Sequence, residues 1–170
     1  LITEIRKTFR FDSDDNGITV TASAGDNSGN HSDDSVSEKF TVDLTDPVID
    51  VDINGGIDGT NYYSAQHKPE ITIKVTERNF DPELINTTLQ NSFGSKVPTV
   101  SFTDVSDTEH TAHLVFDEGD FTFDIRGTDR AGHSAKVNMD RSKIGKFYMD
   151  NTAPVVSNNF TDFADSKNGN

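Results

Sequence analysis

The chain has 170 residues, with 29 acidic against 15 basic side chains, and so a formal net charge of −14. That charge repels nucleic acid and anionic membrane surfaces, so neither is an expected partner. The absence of cysteine excludes disulfides, thiolate chemistry and cysteine-held zinc or iron–sulfur centres, and no apolar run reaches the roughly 18 residues that a membrane-spanning helix needs. Apolar residues are only 32% of the chain, yet 12 Phe spread along it can seed a core.

The first distinctive segment is Asp12-Ser-Asp-Asp-Asn-Gly17. It has oxygen side chains at the first, third and fifth places of a calcium-loop pattern and Gly at the sixth. The twelfth place is Ser23 instead of Glu, and an alternating strand (Ile18, Val20, Ala22, Ala24) follows where a helix should, so calcium is not expected there. Asp26-Asn-Ser-Gly-Asn30 is a second turn, because the Asp carboxylate can fold onto nearby backbone and Gly29 can take positive φ. Phe40–Val42 leads into Asp43-Leu-Thr-Asp-Pro47, where proline suits a strand end entering a new unit.

Beyond Pro47 the apolar period is two, the strand period. Ile49, Val51 and Ile53 alternate with acids; Ile71, Ile73 and Val75 alternate with Thr72 and Lys74. Ala112, Leu114 and Phe116 form a third such face, and Phe121, Phe123 and Ile125 a fourth. Ile71, Ile73, Val75, Leu114, Phe116, Phe121, Phe123 and Ile125 are therefore the expected core. Asn54-Gly-Gly and Asp129-Arg-Ala-Gly are expected turns, and Asp117-Glu-Gly-Asp120 a hairpin turn. Asp81-Pro-Glu83 predicts one helical turn through Ile85, with Asp81 as its cap. Of the adjacent pair Tyr62 and Tyr63, one should face in and one out. His110 and His113, three apart on a strand, fall on opposite faces and cannot share an ion; both are expected in solvent. Lys74 lies on the polar face, against a role in an intramolecular isopeptide bond.

Three segments recur in order. Phe40–Ile49 returns as Phe147–Val156, 107 residues on; Asp26–Asn30 returns as Asp129–His133, 103 on; and Thr8–Asp12 resembles His113–Asp117, 105 on. One unit of about 105 residues seen more than once accounts for this. Residues 1–43 then read as the C-terminal part of a preceding unit, from Thr8–Asp12 through Phe40–Asp43. Residues 44–150 are a complete unit, and 151–170 a linker or the start of a following one. About seven short strands in such a unit predict an all-β fold, an antiparallel β-sandwich of immunoglobulin-like architecture.

The Asp-x-Thr-x-Pro joints, the Asp-x-x-Gly-Asn/His turn before the last strands, and Glu77-Arg-Asn-Phe-Asp-Pro82 after the second strand together resemble the tandem bacterial immunoglobulin-like domains of Gram-positive surface proteins. The resemblance implies an extracellular, wall-attached, non-catalytic stalk or adhesin module. Its partners would be neighbouring domains of the same kind and a host protein or glycan. An accessory β-sandwich module of a secreted carbohydrate-active enzyme is the alternative. No catalytic, cofactor or metal residue is assigned: there is no Gly-x-Ser-x-Gly, no His-Glu-x-x-His and no phosphate loop. The joints stay open between two readings. One is a purely proline-stiffened crossing; the other is interdomain calcium, as in the similar cadherin linkers, for which Asp150 would need Asp129 or Asp124 beside it.

Overall fold

The computed structural model describes residues 6–57, 60–94 and 96–157. It is an all-β chain. Four short strands come first: β1 (Asp15–Ile18), β2 (Thr21–Ala22), β3 (Ser35–Val36) and β4 (Phe40–Val42). Among the described residues β1 pairs only with β4 and β2 only with β3, and this segment joins neither of the larger sheets.

Nine strands follow: β5 (Val48–Asn54), β6 (Tyr62–Tyr63), β7 (Glu70–Thr76), β8 (Ile85–Asn91), β9 (Thr103–Asp104), β10 (Glu109–Val115), β11 (Gly119–Gly127), β12 (Lys136–Met139) and β13 (Lys146–Met149). One sheet has the order β12-β5-β7-β10-β9, the other β6-β13-β11-β8. In the first, Ile49 sits opposite Val75, Val51 opposite Ile73, and Leu114 opposite Ile71. In the second, Phe121 sits opposite Phe147 and Phe123 opposite Leu89. These side chains form a single apolar cluster fed by both sheets. Period-two sequences place one face of each sheet there and leave the other to solvent. All eight residues expected inside are buried.

Four expectations need correction. The sheets are mixed: β12 runs parallel to β5 and β13 parallel to β6. Asp117–Asp120 is not a hairpin turn, since β10 belongs to one sheet and β11 to the other. Phe116 makes that crossing, fully buried, with its ring 4.9 Å from both Phe121 and Phe147. Thr8–Asp12 is not a strand; among the described residues no neighbouring edge pairs with it, and a lone strand leaves its backbone unpaired. Phe9 and Phe11 are exposed, Phe11 resting edge-on against Phe40, and neither joins the core. Finally, His110 is buried, as detailed below.

The expected single turn exists as a 3₁₀ turn, Pro82–Leu84, with the Asp81 carboxylate accepting the Glu83 N–H at 3.0 Å. A short helix α1 (Arg141–Ile144) was not expected. Its signal was present in Asp140, whose carboxylate caps Ser142, and in Gly145 at its end. Tyr63 is buried, whereas Tyr62 is exposed and stacks on Tyr148 at 4.7 Å.

The recurring segments make the same hydrogen bonds. At the first turn the Asn30 N–H donates to Asp26 Oδ1 (2.9 Å) and Asn30 Nδ2 to Asp26 Oδ2 (2.7 Å). At the second, the His133 N–H donates to Asp129 Oδ1 (2.9 Å) and His133 Nδ1 to Asp129 Oδ2 (2.8 Å). The backbone bond from Ser32 N to Ala24 O is matched by that from Ala135 N to Gly127 O. The pairing of Asp15 with Val42 is matched by that of Gly119 with Met149. The Thr45 N–H caps Asp43 Oδ1 and the Thr152 N–H caps Asp150 Oδ1, while the Thr45 hydroxyl bonds Asp14 and the Thr152 hydroxyl bonds Glu118.

Candidate functional site at the Asp43 joint

Three described polar residues are buried: Glu77, His110 and Asp129, at 6%, 6% and 2% exposure. Each continues the inward parity of an apolar strand face. Glu77 follows Ile71, Ile73 and Val75; His110 precedes Ala112 and Leu114; Asp129 follows Phe121, Phe123 and Ile125. Thr76 pairs with both Val48 and Glu109, and Lys136, just past the Asp129 turn, pairs with Val48. All three therefore lie at the end of the two sheets where the chain arrives from β4.

The joint itself is built from β4 outward. Asp43 leaves β4, its Oδ1 accepting the Thr45 N–H at 3.2 Å and its Oδ2 the Asn79 side-chain amide at 2.7 Å. Asp14, beside β1, accepts the Leu44 N–H at 2.6 Å and the Thr45 hydroxyl. These two bonds, the hydroxyl first, hold the Asp14 carboxyl below the usual range. Pro47 is fully buried at the start of β5. The crossing is thus tied at both ends.

Glu77 and Asn79 belong to the segment between β7 and the 3₁₀ turn. His110 fixes that segment, with Nε2 2.9 Å from the Glu77 carbonyl, Nδ1 2.6 Å from Asp104 and its ring stacked on Phe80 at 4.0 Å. The Glu77 carboxylate accepts backbone N–H groups, from Asn79 at 2.6 Å and from Arg78. Burial, and then the negative charges of Asp43 and Asp129, push its carboxyl up.

Asp129 opens the turn between β11 and β12, where Gly132 sits at φ 94°. Burial alone would raise its carboxyl, but the hydrogen bonds from the His133 backbone and ring prevail and lower it. His133 is raised in turn, first by its bond to Asp129 and further by Asp43 and Asp46. One ligand atom each from Asp43, Asp129 and His133 lie within 4.8 Å of one another. A groove of about 410 Å³ runs alongside, lined by Thr41, Val42, Asp43, Asn79, Arg130 and Ala131.

The partners weighed for Asp150 are elsewhere. Asp129 meets Asp43, the acid of the other joint, and Asp124 pairs with Arg141 at 2.6 Å. Lys74 pairs with Asp50 at 3.7 Å, and His113 is exposed near Glu70. Sequence reasoning missed Glu77, His110 and Asp129 as one constellation. The parity of their strands was the signal: it puts Glu77 and His110 inside at the next position beyond their apolar runs, and Asp129 inside past Gly127.

Compared with protein-family models, with curated proteins and with solved structures, the chain has no match.

Proposed function

We propose that the chain is a non-catalytic structural and adhesive module of a Gram-positive cell-surface protein, extracellular and wall-attached. Its fold is read as an immunoglobulin-like sandwich repeated about every 105 residues. On this reading 1–43 ends one unit, 44–150 is a whole unit and 151–170 opens the next. The observation that carries it is the recurrence of hydrogen bonds. Asp14, Asp26 and Asp43 make the contacts that Glu118, Asp129 and Asp150 make about a hundred residues later. A joint rebuilt with the same kinds of hydrogen bond suits a spacer whose units must follow one another at a fixed attitude. Fixed attitude is what a stalk or a host-binding surface needs.

Small-angle scattering on chains carrying one, two and three successive units tests this. A constant increment in maximum dimension per unit is expected; a dimension that barely grows would overturn the stalk reading. Purified protein offered glycoside, ester and peptide substrates should turn over none. Turnover lost on substitution of a single carboxylate would overturn the non-catalytic reading.

One observation favours the second reading, an accessory module of a carbohydrate-active enzyme. Exposed Tyr62 and Phe93 and half-buried Tyr148 line a groove of about 330 Å³ beside Glu118, Asp120 and Asp150, and aromatic faces beside acceptors suit a sugar ring. Glycan binding abolished by Tyr62→Ala would favour this reading over a plain stalk.

A further inference from the structure

We propose that Glu118, Asp120, Tyr148 and Asp150 form the docking face for a second copy of the 44–150 unit, which seats on it through its own Arg78, Asn79 and Arg130. The inference rests on the tandem-repeat reading and deepens it by naming the surface that one unit offers the next.

The Asp43 joint supplies the pattern. There the arriving segment and the unit it enters are in contact. The Asn79 side-chain amide donates to Asp43 Oδ2 at 2.7 Å, and Thr41, Val42 and Asp43 share one groove with Asn79, Arg130 and Ala131. Asn16 and Arg78 line a second cleft. The charge of Arg78 also helps hold the Asp14 carboxyl down, behind the Thr45 hydroxyl and the Leu44 N–H.

The matching strands repeat the arriving side of that joint. The pairings of Asp15 with Val42 and of Gly119 with Met149 put Glu118 in the place of Asp14 and Asp120 in that of Asn16. They put Tyr148 in the place of Thr41 and Asp150 in that of Asp43. The turn that follows is rebuilt as well, the Thr152 N–H capping Asp150 Oδ1 and the Thr152 hydroxyl bonding Glu118, both at 2.8 Å. The receiving side is what differs. Asp43 is half-buried against Asn79, whereas Asp150 is exposed, and among the described residues none takes Asn79's place on its second oxygen. Glu118, Asp120, Tyr148 and Asp150 line one groove of about 330 Å³.

Charge selects the occupant. The receiving end of the unit carries Arg78 and Arg130, both exposed, with Arg130 steadied by Asp81 at 3.3 Å. At the first joint these two guanidiniums meet positions held by neutral Asn16 and Thr41. At the second joint the same positions are Asp120 and Tyr148. A guanidinium set against a carboxylate and a tyrosine ring gains a charge-assisted hydrogen bond and a cation–π contact. The second joint is therefore better matched to the basic end of a unit than the first. A sugar would use the rings of this groove but would bring no positive charge to its three acids.

The test is residual dipolar coupling on an extended chain, residues 1–154 followed by a second copy of residues 48–154. The two whole units are expected to share one alignment tensor. Asp120→Arg in the first of them sets two guanidiniums against each other and should separate the tensors. Arg78→Asp in the second copy should then restore a common one, a rescue that misfolding of either unit cannot produce. Asp150→Asn keeps the Thr152 cap, sets an amide against the Asn79 amide, and should lower the alignment of the second copy relative to the first. Independent tensors in the unsubstituted extended chain would overturn the proposal. So would a shared tensor that survives both substitutions, since proline stiffness would then account for it. Cello- and chito-oligosaccharides that shift the Tyr148 resonances equally with and without the second copy would replace the docking face by a sugar site. Units that tumble freely still lengthen the chain in scattering, and units that dock but fold back do not. Failure here and failure of the stalk reading are therefore distinguishable.

Discussion

The Asp26–Asn30 and Asp129–His133 turns share their hydrogen bonds and differ in everything around them. Asp26 is exposed and Asp129 is 2% exposed. Gly29 and Gly132 hold nearly the same backbone angle, φ 86° and 94°. The strand pairs beside them follow suit. β1 is mostly exposed and β4 is at most half-buried, whereas the matching β11 and β13 carry Phe121, Phe123, Phe147 and Met149 into the core. Local sequence builds the turn, and neighbouring sheets decide whether the same carboxylate is a solvated loop cap or part of a buried joint. A functional assignment made from the motif alone would treat both alike.

The largest expected effect breaks the comparison at the strands. Phe147→Ala should cost about 3–5 kcal/mol in urea unfolding, because its ring is fully enclosed by Phe116, Phe121 and Tyr63. Phe40→Ala, at the matching position but only half-buried, should leave that main transition in place. A comparable loss in both would mean that the first segment shares the main core.

Next comes the acid of each turn. Asp129→Ala strips acceptors from two His133 donors and should cost about 2–3 kcal/mol. Asp26→Ala should not shift the main transition at all. Smaller, and expected to be equal at both turns, is the glycine effect. An added Cβ meets nothing within 4 Å at Gly29 or Gly132, so the cost to Ala is conformational strain alone, about 1–2 kcal/mol of local stability. Amide exchange in each turn reads it, and an unequal loss would show that the two turns are not the same device.

The smallest effect is in pH. Both carboxyls are lowered: Asp26 first by the Asn30 side chain and then by backbone N–H groups, and Asp129 by its His133 bonds against burial. A depressed folded-state carboxyl gives stability that is present above the ordinary carboxylate range. That stability fades as pH falls through the folded value. Carboxyl titration followed by NMR should show both groups ionising below their ordinary range, with the β11–β12 turn loosening in acid. An Asp129 that titrates above that range would contradict the hydrogen bonds assigned to His133.

Much of the fold was legible because it rests on alternation. Ile71, Ile73 and Val75, or Phe121, Phe123 and Ile125, cannot shift by one without exposing a whole face. What alternation could not convey was partnership between strands. Asp117–Asp120 carries turn chemistry, yet it spans two sheets because Phe116 is more stable inside the core than at a hairpin's edge. β12 and β13 were invisible as parallel partners, since four-residue strands carry no direction in their pattern. The site was half legible. The Asp43 joint stood out by its recurrence, but Glu77, His110 and Asp129 lie just beyond their apolar runs, where polar residues read as strand ends facing water. Only the enclosing sheets turn them inward.

Amide hydrogen exchange across the whole chain tests the central claim most directly, that one hairpin is built twice and is buried only where two sheets surround it. The His133 and Ala135 amides, bonded to Asp129 and Gly127, should exchange orders of magnitude more slowly than the Asn30 and Ser32 amides in the same bonds to Asp26 and Ala24. Equal protection in the two hairpins would contradict the account.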